Sequence, residues 1–178
     1  SAEVPIIDNP LTIPNDLLLV LSAKNFPFGK IISKKKTYDT SLKICFVGHL
    51  ESNKGLEKLL SALKLDFRKL NYDKVYVVGD GSKKQYYLEL AKTISDVKID
   101  FLGEVNKSRL NKIYEKCHLL VLPSKSEGFP KVIAEAGAYG CVPVVSKVGS
   151  INHYINSNNG YLLNQNIPKE IYEKLLMI

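Results

Sequence analysis

The chain has 178 residues, with 25 Lys or Arg against 18 Asp or Glu, for a formal charge of +7. Its 45% apolar and 24% charged content is that of a folded globular protein and excludes disorder or a fibrous repeat. The length suits one domain with at most an appendage, enough to bury a core.

No apolar run approaches the ~18 residues of a membrane helix. The longest early one, Leu17 to Leu21, has five residues and lacks the flanks of a signal peptide. The Ser1-Ala2 start without Met reads as a cloning remnant. Residues 1–41, broken by Pro5, Pro10, Pro14 and Pro27, read as an extended arm with apolar anchors such as Ile6, Ile7 and Phe26. Lys34-Lys35-Lys36 lies in this arm and reads as solvated, with an anionic membrane surface as the functional alternative.

From Leu42 the pattern becomes regular. Lys43–Val47 is a short β-rich run ending at Gly48. Leu56, Leu59, Leu60, Leu63, Phe67 and Leu70 then recur at helical spacing, which predicts one long helix. Val75–Val78 predicts a second strand, followed by a helix with Tyr87, Leu88, Ala91 and Ile94 inward. Ile99–Leu102 is a third strand, followed by a helix marked by Leu110, Ile113, Tyr114 and Cys117. Leu119–Leu122, Val142–Val145 and Tyr161–Leu163 are three more strands, with a helix opened by Pro130 and a closing one from Pro168. Strands alternating with helices predict a doubly wound, Rossmann-like α/β domain over residues 42–178. It has a parallel sheet of about six strands and helices on both faces.

Three cysteines, Cys45, Cys117 and Cys141, are widely spaced, with no C-x-x-C pair. They read as small buried hydrophobes in a reducing compartment. The positive charge is 23 Lys against two Arg. Scarcity of guanidinium argues against sequence reading of nucleic acid.

In an open parallel sheet, ligands bind outside the carboxyl ends of the strands. The loops Gly48–Gly55, Gly79–Ser82, Gly103–Lys107, Pro123–Phe129 and Ser146–Ser150 should therefore share one edge. Lys54 stands just before a helix start, where N–H groups and the dipole favour an anion. Taken alone, it is more simply a lysine on a turn. Gly79-Asp80-Gly81 is a weak G-x-G, more often a tight turn. No acid ends the second strand with the spacing of a dinucleotide ribose ligand.

Ser124-Lys125-Ser126-Glu127-Gly128-Phe129-Pro130 is more informative. Pro130 suits a first helical position. The amides of Gly128, Phe129 and Lys131 would then cluster near a helix start. Glu127 sits on the loop. Glu135 lies on the helix among Ala134, Ala136, Gly137 and Ala138, small residues expected to let that helix approach the sheet and leave the carboxylate unobstructed. A carboxylate there can accept two hydrogen bonds from a vicinal diol. On these grounds Glu127 is equally well a helix-start acid complementing the dipole, and Glu135 an exposed helical glutamate.

In this order, F-V-G-H-L-x-x-x-K-G, V-V-G-D-G-S, F-L-G-E-V, L-P-S-x-x-E-G-F-P and E-A-G-A-Y-G-C-V-P-V-V-S resemble the C-terminal half of retaining GT-B glycosyltransferases. These are the large family 4, or group 1, set. The similarity runs from about Lys43 to Leu163, and the E-x7-E pair of Glu127 and Glu135 is its most specific element.

The resemblance implies that Glu127 and Lys54 are the catalytic residues, Lys54 on the donor diphosphate. Glu127 with the amides of Gly128 and Phe129, beside Pro130 and Lys131, would hold the donor sugar and phosphate. Gly48 and His49 would border the diphosphate, Glu104 and Val105 the base, and Glu135 the ribose. It implies sugar transfer from a nucleoside diphosphate sugar to an acceptor hydroxyl with retention, in glycan synthesis, with no metal or other cofactor.

His49 stands where the family commonly has Arg. Imidazole is mostly neutral at pH 7 and lacks the bidentate fork. Gly149-Ser150 and His153 replace the family's paired glycines and nearby acid.

Further expectations follow. Residues 1–41 are an interdomain linker, and an N-terminal acceptor-binding domain is the missing partner. The location is cytoplasmic or peripheral at an inner membrane face, and nucleic acid is not a ligand. A non-catalytic nucleotide- or partner-binding module on the same fold is the alternative, motivated by His49 and His153.

Overall fold

The structure, a computed structural model, describes residues 41–65, 70, 72–128, 131–157 and 159–178. The arm anchors, the triple lysine, Phe67, Phe129 and Pro130 lie outside the described residues.

Six strands form one sheet: β1 Leu42–Val47, β2 Tyr72–Val78, β3 Lys98–Gly103, β4 Leu119–Leu122, β5 Val142–Ser146 and β6 Tyr161–Leu163. Their order is β3-β2-β1-β4-β5-β6, and every pairing is parallel. The helices are α1 Leu56–Leu63, α2 Lys84–Lys92, α3 Lys107–Lys116, α4 Lys131–Ala138 and α5 Pro168–Leu176. The doubly wound α/β expectation therefore holds.

The sequence order runs one way from β1 to β3 and the other way from β4 to β6. Right-handed crossovers then carry helices to opposite faces. Accordingly α1 packs against α2 and α5, whereas α3 packs on β1 and α4 on β5. With both faces covered, β1, β4 and β5 are near-continuously apolar. Ile44, Cys45, Phe46, Leu119, Leu120, Val121, Val144 and Val145 are fully buried. β3, at the margin, has no fully buried residue.

Two local readings differ from the observed chain. The first helix ends at Leu63, and Lys64 and Leu65 form a turn. Leu70 is buried without being helical. Apolar spacing reports burial, and a residue on an irregular return path can be as buried as one on a helix. β2 also begins three residues before Val75, because Tyr72 pairs with Leu42 and its hydroxyl donates to the Leu175 carbonyl of α5 at 3.1 Å.

Pro143 lies inside β5, where a missing donor is normally costly. The Val142 N–H bonds the His118 carbonyl on the β4 side, so by alternation the Pro143 nitrogen faces β6. Pairing with β6 starts only at Val144. No ladder bond is forfeited.

Register also shapes the carboxyl edge. β1 pairs with β2 to the last residue, Val47 with Val78. Its pairing with β4 stops at Cys45 and Leu120. β1 and β4 therefore part over their final two residues, at the point where the strand order reverses.

Candidate functional site

A cavity of about 300 Å³ opens at that parting. Val47 and Leu122, the last residues of β1 and β4, contribute apolar walls. Gly48, His49, Lys54, Gly79, Asp80, Glu104, Glu127, Lys131 and Val132 complete the lining. Of the residues singled out from sequence, Gly48, His49, Lys54, Glu104, Glu127 and Lys131 are thus brought together. Val105 packs against the core instead, and Gly128 and Glu135 are not part of the lining.

The five loops do share one edge, and they are stitched together. The Gly48 N–H bonds the Val78 carbonyl, and the Gly79 N–H bonds the Gly103 carbonyl. The Lys125 N–H bonds the Asn53 carbonyl at 2.7 Å.

Lys54 closes a single 3-10 turn, Ser52–Lys54, and Gly55 follows at φ 78°. A Cβ at Gly55 would collide with the Pro123 backbone carbonyl. Only glycine lets the start of α1 lie this close to the loop after β4. That approach carries Lys54 to Glu127.

Lys54 Nζ donates to Glu127 Oε1 at 2.7 Å, and Ser124 Oγ donates to the same oxygen at 2.7 Å. Among the described residues, Oε2 receives no hydrogen bond. The Glu127 side chain is 8% exposed and the Lys54 side chain 22%. A carboxylate this enclosed is held by charge-assisted bonds. Gly149, at φ 57°, lies against the Glu127 carbonyl. The Ser150 hydroxyl donates to the Gly128 carbonyl at 3.1 Å. The loop after β5 is therefore a buttress behind Glu127 and not a cavity wall.

Glu135 was expected to carry an unobstructed carboxylate. It is instead bonded to Lys107 Nζ at 2.5 Å, and its side chain is 14% exposed. Ala134, Ala136 and Ala138 are buried as expected, but a Cβ at Gly137 would meet nothing within 4 Å. Close packing of α4 thus comes from the alanines, not from Gly137.

Three contributors escaped the sequence reading. Asp80 was passed over as part of a turn, yet it lines the cavity immediately after β2. Lys84 Nζ at 2.6 Å, then the Gly81 N–H at 2.8 Å, hold its carboxyl below the usual carboxylate range. Ser124, fully buried, is the hydroxyl partner of Glu127. A small polar residue at the end of an apolar strand, three before an acid, was the available signal. Lys107, opening α3, carries no signal that distinguishes it from the other lysines.

Residues 28–178 match the family model described as glycosyl transferases group 1. The chain belongs to that family. It is 36% identical over 123 residues to the glycosyltransferase MJ1607 of Methanocaldococcus jannaschii, covering 66% of this chain and 31% of the relative. It is 32% identical over 110 residues to a Campylobacter jejuni α-1,4-N-acetyl-D-galactosaminyltransferase acting on a diphospho-undecaprenol-linked saccharide, covering 61% of this chain and 30% of the relative. The chain thus spans about a third of the length of these curated relatives. In fold it resembles HepE of Anabaena, solved in complex with UDP, with a TM-score of 0.63 and 21% identity, covering 96% of this chain and 44% of that one. The fold is the Rossmann-like α/β fold of GT-B glycosyltransferases.

For a group 1 chain, the cavity shows where the departure at position 49 falls. His49 is exposed and lies on the lining beside Gly48. Among the described residues no helix is long and apolar enough to cross a membrane.

Proposed function

We propose that this chain is the donor-binding half of a retaining glycosyltransferase, which moves a sugar from a nucleoside diphosphate sugar to an acceptor hydroxyl. The observation that carries the reading is the Lys54–Glu127 pair at 2.7 Å, set in the crevice where the strand order reverses. Ligands of open α/β sheets bind at such a crevice. A cavity of about 300 Å³ is at the small end for a ligand site, consistent with a second domain completing the cleft.

In this reading the diphosphate takes over the Lys54 ammonium from Glu127, with Lys131 and the start of α4 adding positive potential. Glu127, still held by Ser124, turns its second oxygen to the donor sugar. Glu135 exchanges Lys107 for the ribose diol. Catalysis consists mainly of stabilising charge on the departing diphosphate, and Lys54 rather than a metal supplies that charge. An acceptor carried on a membrane lipid suits a basic chain with 23 lysines and has a parallel in the C. jejuni relative's named acceptor.

Calorimetry with UDP, GDP and ADP tests this. At least one should bind, and Lys54→Ala and Glu135→Ala should each weaken it about tenfold or more. No binding by any, or binding indifferent to both changes, overturns it. His49, which lacks the bidentate fork of an arginine, favours a second reading, a nucleotide-binding module without transfer. Donor turnover by the whole protein excludes that reading.

A further inference from the structure

We propose that Asn166 and Glu170 are positioning residues that fix the Glu127 loop from the far side of the sheet edge, so that the start of α5 sets the geometry of the Lys54–Glu127 pair. Asn166 follows β6, and it is the one non-glycine among the described residues with a positive φ, 53°. Asn is among the few residues besides glycine that enter the left-handed region, and here specific contacts hold it there.

Those contacts are present. The Glu170 carboxylate, in the first turn of α5, accepts three successive backbone N–H groups. Asn164 donates to Oε1 at 2.7 Å, and Gln165 and Asn166 donate to Oε2 at 2.9 and 2.7 Å. So gripped, Asn166 reaches across the end of β5. Its Nδ2 donates to the Ser124 carbonyl at 2.9 Å, 42 residues away in sequence. Ser124 is fully buried, and its hydroxyl holds Glu127 Oε1 at 2.7 Å. One chain of hydrogen bonds therefore runs from Glu170 through Asn166 and Ser124 to Glu127 and Lys54.

A helix cap alone would not require the last link. Glu170 would satisfy the N–H groups of residues 164–166 whatever side chain stood at 166. The amide of Asn166 adds nothing to α5, and its donor is spent on the loop after β4. The donor-binding reading supplies only the ligand arm of the test.

The experiment compares Asn166→Gly and Glu170→Ala with the unaltered 178-residue chain. Amide hydrogen exchange is read at Lys125, whose N–H bonds Asn53, with Val77 in β2 as the reference. UDP affinity is read by calorimetry. Glycine accepts φ 53° without strain, so Asn166→Gly should leave the unfolding midpoint near that of wild type. Lys125 exchange should nonetheless rise about tenfold relative to Val77, and UDP affinity should fall several-fold. Glu170→Ala should show the same Lys125 signature.

Unchanged Lys125 exchange in Asn166→Gly, or an increase shared by Val77, overturns the proposal. Should wild type bind none of UDP, GDP and ADP, the donor reading fails, while the exchange result still decides the strut.

Discussion

Two glycines flank Glu127 from different directions, and the structure assigns them opposite sensitivities. A Cβ at Gly149 would stand 1.9 Å from the Glu127 carbonyl oxygen, whereas real Cβ atoms stay beyond about 3.0 Å. Gly149→Ala must therefore push the loop back by about 1.1 Å, besides paying about 1 kcal/mol for a left-handed alanine. A displacement of that size breaks the 2.7 Å bonds that Lys54 and Ser124 make to Glu127. The combined destabilisation is about 3 kcal/mol, or a fall of roughly 6–12 °C in Tm for a chain of this length.

Among the described residues, none has an atom within 4 Å of a hypothetical Cβ at Gly128, and Gly128 has no left-handed φ. Gly128→Ala should change stability by less than about 0.5 kcal/mol. Its methyl would meet no described residue, so any loss should appear in UDP affinity instead. Urea unfolding and calorimetry on the two variants measure both quantities. Equal stability of the two variants, or a Gly128→Ala fall as large as that of Gly149→Ala, would refute the geometric argument.

Other outcomes can be checked alongside. Lys54→Met should lower stability by about 1–2 kcal/mol in urea melts, since it leaves an enclosed carboxylate with only the Ser124 hydroxyl. Hydrogen bonds from the Ser82 N–H and hydroxyl lower the Glu51 carboxyl below its usual range, as Lys84 and Gly81 do for Asp80. Because these folded pKa values are depressed, the associated stability is present above the unfolded values, near about 4. It should fade as pH drops below them; urea melts from pH 6 to 3 should show the decline, flattened in Glu51→Gln/Asp80→Asn. Burial pushes the Cys45 thiol well up, with Cys117 and Cys141 beside it, and all three are buried. A disulfide reagent at pH 8 should therefore modify them only at the rate of unfolding.

The sequence made the sheet legible because strand runs, glycine stops and helical spacing all agreed, and each is a local signal. The first helix was overextended because Leu70 carries a burial signal rather than a helix signal. The order of strands, and hence which loops touch, depends on contacts between distant residues that no local pattern contains. Convergence of the strand-end loops located the edge, but Lys54, His49, Glu104 and Glu127 were singled out by the motifs shared with group 1 glycosyltransferases, each residue being ambiguous on its own. What they bind in the folded chain could not: nothing in a lysine at 107 announces that it faces Glu135. Asp80 was missed for a related reason. A turn acid and a cavity acid have the same neighbours in sequence and differ only in what stands across the gap.

The early separation of β1 from β4 has a consequence for how such a chain can diversify. The hollow is produced by where two backbones stop pairing, so it does not depend on small side chains along its walls. Exchanging Val47, Leu122 or His49 would retune what fits without collapsing the space. A scaffold of this kind can explore new cargo through single replacements, because the opening is inherited from the framework rather than rebuilt with each variant.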